Sequence, residues 1–109
     1  MKIDDIVKKC AKLKVIENRA ESDEYYEAVF FARDVEEWSK IIGEFLGAPI
    51  KPAGARPTRE QTQVTKDIGG IRDNQTMFKK DFDGETFLAM FWPWSGNVYV
   101  TLKLILMKK

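Results

Sequence analysis

Apolar residues recur at helical spacing in some stretches and at alternating positions in others, and the change of period divides the chain into elements. Val35, Trp38, Ile41, Ile42, Phe45 and Leu46 return every three or four residues, which gathers them on one side of a helix. Asp34 stands where a side chain can cap the first turn, and Glu37, three positions later, can complete a capping box. Gly47 suits a left-handed residue after the last turn, and Pro49 blocks continuation. A second stripe, Ile3, Ile6, Val7, Cys10 and Leu13, predicts a helix over residues 3–13.

Elsewhere the period is two. Residues 25–32 put Tyr25, Val29 and Phe31 on one side and Tyr26, Ala28 and Phe30 on the other, with Glu27 the exception, so this strand belongs in the interior of a sheet. A short strand over residues 15–19, turning at Glu21-Ser22-Asp23, is expected before it. Residues 48–57 hold three prolines and a glycine and read as a loop. Thr58 and Gln61 form a second capping-box pair for a short surface helix over 59–68, stopped by Gly69-Gly70.

Residues 76–82, 85–92 and 97–107 then predict an antiparallel meander, joined by Asp83-Gly84, a type I′ hairpin signal, and by a turn at Ser95-Gly96. In the last strand Val98, Val100, Leu102, Leu104 and Leu106 oppose Tyr99, Thr101, Lys103, Ile105 and Met107. The middle strand is apolar on both sides, Phe87, Ala89 and Phe91 against Leu88, Met90 and Trp92, so it must be covered twice. Helices supply one cover; a partner chain, a ligand or the N-terminal helix is left for the other. The expected architecture is α+β, an antiparallel sheet of four to five strands with two to three helices, in a single domain over residues 1–109.

Composition narrows the function classes. With 44% hydrophobic and 32% charged residues the chain has an ordinary globular make-up. No apolar run approaches the roughly 20 residues that span a bilayer, and the N-terminus lacks the order of a secretory signal, so a cytoplasmic protein without membrane contact is expected. Eighteen basic against seventeen acidic residues give +1, no general field for nucleic acid, which is not an expected partner. Histidine is absent, removing the usual general base and commonest metal ligand. One cysteine, Cys10, excludes an internal disulfide and falls on an apolar stripe, where a thiol packs as a small hydrophobe.

Charge is uneven. Residues 1–47 carry eight bases and eleven acids, residues 48–109 ten and six. Lys51, Arg56, Arg59, Lys66 and Arg72 face only Glu60 and Asp67, and Arg56 and Arg59 flank the start of the predicted surface helix. A solvated loop face accounts for this, while the alternative is a site for a phosphate or carboxylate at the helix start beside Lys51, Arg56 and Arg59. Separately, Asn74 and Gln75 after the Gly69-Gly70 pair either satisfy backbone at the turn or line a polar pocket with Arg72. The spacing is not that of a P-loop, and no cofactor is expected. Trp92-Pro93-Trp94 marks a strand end; Trp92, Trp94 and Met90 are the candidate interface residues, with core packing as the alternative.

Val29-Phe30-Phe31-Ala32-Arg33-Asp34-Val35-Glu36 through Phe45-Leu46-Gly47 resembles the opening of the vicinal oxygen chelate, or glyoxalase/bleomycin-resistance, family, whose βαβββ unit has a strand ending in an aspartate before a helix that finishes in Leu-Gly. Ile41-Ile42 stand where that helix often carries a Phe-Tyr pair, and the helix over 59–68 is an insertion. Because the family builds its cavity from two units, the resemblance implies a homodimer. It also implies a metal-ligand position at Glu27, the one weak metal candidate, and a second in the last strand, where Thr101, Leu102 and Lys103 stand; a lysine cannot complete such a site. The expectation is a non-catalytic homodimer that binds a small molecule or partner. Its rivals are a metal-dependent glyoxalase- or dioxygenase-like enzyme and a purely structural interaction module.

Overall fold

The computed structural model describes residues 1–108. Its elements run α1 (Ile3–Lys9), β1 (Glu17–Glu21), β2 (Tyr25–Phe31), α2 (Val35–Leu46), α3 (Arg59–Thr65), β3 (Thr76–Phe82), β4 (Glu85–Pro93) and β5 (Tyr99–Lys108), an α+β fold. The strands form one antiparallel sheet in the order β1-β2-β5-β4-β3. After β2 the chain crosses by way of α2 and α3 to β3 at the far edge, and the meander walks back until β5 pairs with β2. Asp83 and Gly84, with φ of 53° and 79°, make the β3–β4 turn with the positive φ at both central residues that type I′ requires. Pro93 closes β4, and beyond it the Trp94 N–H donates to the Tyr99 carbonyl at 2.9 Å.

The first face of the sheet carries Tyr26, Ala28, Phe30, Phe78, Phe87, Ala89, Phe91, Val100, Leu102 and Leu104, and it is covered by Ile3, Ile6 and Cys10 from the N-terminal segment and Trp38, Ile41, Ile42 and Leu46 from α2. Phe30 stacks on Trp38 with ring centroids 4.7 Å apart and meets Phe91 edge-on at 5.6 Å. Here the stripe and the alternation read from the sequence meet as expected.

Four local expectations are corrected. Asp34 has φ −98° and ψ 4°, not the extended backbone that a capping side chain needs, and makes no cap hydrogen bond, because a 3₁₀ turn over Ala32–Asp34 leads straight into α2. Gly47 keeps a positive φ, 82°, but with ψ −170°, an extended region open essentially to glycine, rather than the left-handed helical one. α1 stops at Lys9 and continues as turns, with the Leu13 N–H donating to the Cys10 carbonyl, and β1 begins two residues later than alternation suggests. The Thr58–Gln61 box forms as read: Gln61 N–H donates to Thr58 Oγ1 at 3.1 Å and Thr58 N–H to Gln61 Oε1 at 3.0 Å. A 3₁₀ turn over Lys66–Ile68 follows α3, and Gly69, φ 105° and ψ −4°, ends it.

The second cover of β4 comes from this chain, through α3 and the segment after it rather than through the N-terminal helix. Val64, Ile68 and Ile71 pack on Met77, Leu88, Met90 and Ile105. Leu88 is 1% exposed and Met90 wholly buried, so Met90 presents no surface and is removed from the candidate interface. Neither edge is a bare template for another strand. β1 is short and charged and its register with β2 is interrupted between Asn18 and Ala20, while β3 is met at Met77 by a bridge from Lys51. Among the described residues no helix is long and apolar enough to cross a membrane.

Candidate functional site

α3 lies over β3, β4 and the adjoining part of β5, and the rest of the second face is covered by side chains of the strands themselves. Register decides which ones meet. Glu27 on β2 stands directly opposite Lys103 on β5, Val29 opposite Thr101, and Lys103 in turn faces Met90 on β4. The bulged position in β1 holds Arg19, whose guanidinium comes within 3.6 Å of Glu27 Oε2 and 3.4 Å of Glu17 Oε1. The Tyr25 hydroxyl donates to Glu27 Oε1 in a short hydrogen bond.

Two indoles complete the floor. Trp94 donates its N–H to Thr101 Oγ1 at 2.8 Å, lies 5.2 Å from the Tyr99 ring, and carries the Arg19 guanidinium carbon 5.3 Å above its own ring. Trp92 carries Lys103 Nζ 3.5 Å above its ring centroid, close enough for a strong cation–π contact. Lys103 Nζ also donates to the Ile68 carbonyl at 3.4 Å, so the end of the α3 segment and the strand share one amine. Gly69 is what lets that segment approach: a Cβ there would stand 2.3 Å from Trp92 Cη2. The Trp92 indole N–H is buried and finds no acceptor among the described protein atoms.

Burial shapes the titration of this strip. It pushes the Tyr25 hydroxyl well above its ordinary value, helped by the hydrogen bond to Glu27 and by that carboxylate's charge. It pushes the Lys103 ammonium down, and the Glu27 charge opposes the shift. Glu27 is thus engaged by a hydroxyl and a guanidinium and faces an ammonium. Among the described residues no three His, Cys, Asp or Glu side chains converge as a metal-holding set.

The anion-site candidates lie elsewhere and do not act together. Arg56, Arg59, Arg72 and Asn74 are exposed and line neither of the two clefts described below. Gln75 is buried, and its Oε1 accepts from the Arg72 backbone N–H at 2.9 Å, which is turn stabilisation. Lys51, read from sequence as part of a solvated basic loop, is 1% exposed; its amine donates to the carbonyls of Pro52 at 3.2 Å, Asp73 at 2.9 Å and Gln75. Burial pushes its pKa down and the Asp73 charge pulls it up. This lysine is an internal tie between residues 51–52 and 73–75. No local pattern marks this role, because its partners are main-chain atoms brought close only by folding.

The larger cleft, about 680 Å³, opens between the start of α1, the β1–β2 turn and the end of β5, where Ile3, Val7 and Leu106 form an apolar base beneath Asp4, Asp23 and Lys108. Its Asp4, Asp23 and Lys108 side chains are exposed, and among the described residues no hydrogen bond joins its charged groups around a common centre. A smaller one, about 310 Å³, lies between α3 and β3 and is bridged by the Lys79–Glu60 ion pair at 3.5 Å. Size favours the first cleft, but convergent chemistry favours the Arg19–Glu27–Lys103 strip, and the chemistry decides. No known protein-family model, curated protein or solved structure matches this chain.

Proposed function

We propose that this chain is a non-catalytic binding protein whose ligand, a small planar anion, lies on the open strip of the second face over Trp92 and Trp94. The observation that carries the reading is the pair of cations held over indoles: Lys103 above Trp92 and Arg19 above Trp94. A planar group can share the indole faces while its charge meets the ammonium and guanidinium. Lys103 has no carboxylate within ion-pair distance among the described residues, so it has attraction to offer a ligand, whereas Arg19 is shared between Glu17 and Glu27. The anionic ligand expected from sequence is kept, but it moves from the Arg56–Arg72 loop to this strip.

The metal-dependent alternative loses support from the company Glu27 keeps. Homodimerisation no longer draws on Leu88 or Met90; what favours it is Trp94, 37% exposed, and two copies meeting there would narrow the strip without changing its chemistry. The test is a titration with terephthalate, a planar dianion, followed by tryptophan emission in wild type, Trp94→Phe and Lys103→Gln. A saturable change is expected, weakened about tenfold in Lys103→Gln, the ratio that 1.4 kcal/mol sets. A linear, unsaturable response in wild type would overturn the reading.

A further inference from the structure

The row of rings on the second face is longer than a small anion needs. β2 and β5 pair Val29 with Thr101 and, two residues on, Phe31 with Tyr99, so alternation puts this last pair on the same face as Glu27 and Lys103. The Phe31 and Tyr99 rings stack with centroids 5.9 Å apart, and the Tyr99 ring lies 5.2 Å from that of Trp94. None of the three side chains is fully buried. Cations stand at both ends of the row. Arg33 and Lys14 lie 4.5 Å and 5.6 Å from the Phe31 centroid, and Arg19 lies 5.3 Å from that of Trp94. A ligand confined to the floor over Trp92 and Trp94 leaves the Phe31 end without a role.

What fits such a row is a chain that repeats a planar group and a negative charge at every unit. We infer that the occupant is a single-stranded nucleic acid, its bases stacked along Trp94, Tyr99 and Phe31 and its phosphates met by the flanking cations. Every base has a π face, so aromatic rings in series take successive bases without reading their sequence. The guanidinium groups beside the rings extend that platform. Lys14 and Lys103 have no carboxylate within ion-pair distance among the described residues, and exposed Arg33 reaches Asp34 only at 4.0 Å, so these cations are free to meet phosphate. Arg19 is already shared between Glu17 and Glu27 and adds less. A net charge of +1 supplies no long-range field, which is why composition gives no sign of this partner. The attraction is local and depends on unpaired bases, because a duplex hides their faces.

The inference rests on the reading of this strip as a site for planar anions, and the experiment separates the two. Fluorescein-labelled oligodeoxythymidylate and oligouridylate of about eight nucleotides, within the span of single-strand sites, are titrated with the full chain and followed by anisotropy. Saturable binding is expected, and the tighter of the two identifies DNA or RNA as the source. Phe31→Leu, which keeps an apolar side chain but removes the ring, weakens that binding about tenfold, the order of one lost stack, and leaves the terephthalate titration at wild-type affinity. Lys14→Gln, an exposed change that spares the fold, flattens the slope of log K against log salt by about 0.7, the share of one phosphate contact on a single strand. Either wild-type affinity in Phe31→Leu or an unchanged slope in Lys14→Gln overturns the inference. So does inorganic polyphosphate that binds as tightly as the oligonucleotides, since charge alone then accounts for the affinity. If terephthalate binds and neither oligonucleotide does, the strand is refuted and the small-anion site stands. A concentration-dependent dimer that excludes the oligonucleotides makes a second copy the occupant and refutes it as well. If neither kind of ligand binds, both readings fall.

Discussion

On the first face of the sheet, α1 and α2 lay Ile6, Trp38 and Ile42 against Phe30, Phe91 and Leu102, and the covering is apolar throughout. On the second, α3 and the 66–71 segment bring Val64, Ile68 and Ile71 down on Leu88 and Met90, while Arg19, Glu27, Tyr25, Lys103, Trp92 and Trp94 cover the strands themselves with charged and aromatic groups. The contrast teaches where stability and recognition are separated in this fold. Burial of large side chains on one face supplies the folding free energy, at roughly 1.5–3 kcal/mol for each fully buried aliphatic or phenyl group. That margin lets the other face hold half-buried ions, which a marginal core could not support.

The largest expected effect attacks the apolar face. Trp38→Ala, which empties a wholly buried site stacked on Phe30, should cost about 3–5 kcal/mol in denaturant unfolding. Trp38→Phe should cost far less than its volume suggests, because it also removes a buried indole N–H that has no acceptor among the described atoms. Equal losses in the two variants would mean that a phenyl ring recovers nothing at this site and that the whole indole is needed there.

Next comes the tie that holds the second face's cover. Lys51→Met leaves the carbonyls of Pro52, Asp73 and Gln75 without their donor and should cost about 2–4 kcal/mol. Hydrogen exchange should report the loss first in residues 71–77 and leave the α2 amides nearly unchanged. Uniform loss of protection over both faces would show that the two covers unfold as one unit.

The smallest effect is seen only at alkaline pH. Burial pushes the Cys10 thiol from near 9 up to about 11, and Tyr26 beside it is shifted up as well. The unfolded thiol ionises first, so the stabilisation is fully present below about pH 9 and is lost as the pH rises toward 11. The stability difference between wild type and Cys10→Ala should therefore shrink by about 2–3 kcal/mol between pH 8 and 11, at 1.36 kcal/mol for each unit. A difference that stays constant over this range would place the thiol in contact with solvent.

The sequence was most legible where cause and effect lie close along the chain. The Thr58–Gln61 box, the Asp83-Gly84 hairpin, the α2 stripe and the β5 alternation all depend on neighbours within a few residues. Asp34 misled because a 3₁₀ turn and a side-chain cap begin with the same residues and differ only in backbone angles. For the site, Trp92, Trp94 and Glu27 stood out as unusual for their positions. Arg19 and Tyr25 did not, since an arginine in a bulge and a tyrosine in a strand look ordinary until the fold brings them to Glu27.

What the chain determined by itself is its period: which stretches are helix, which are strand, which side of each is apolar, and that β4 needs two covers. Those follow from steric and hydrophobic preferences acting over one or two turns. Only the tertiary structure decided that α3 is the second cover, that Lys51 is a buried tie, and that Glu27 and Lys103 face each other across β2 and β5. Register between strands that pair Glu27 with Lys103, 76 positions away, is set by the packing of both sheet faces together, and no local pattern encodes it.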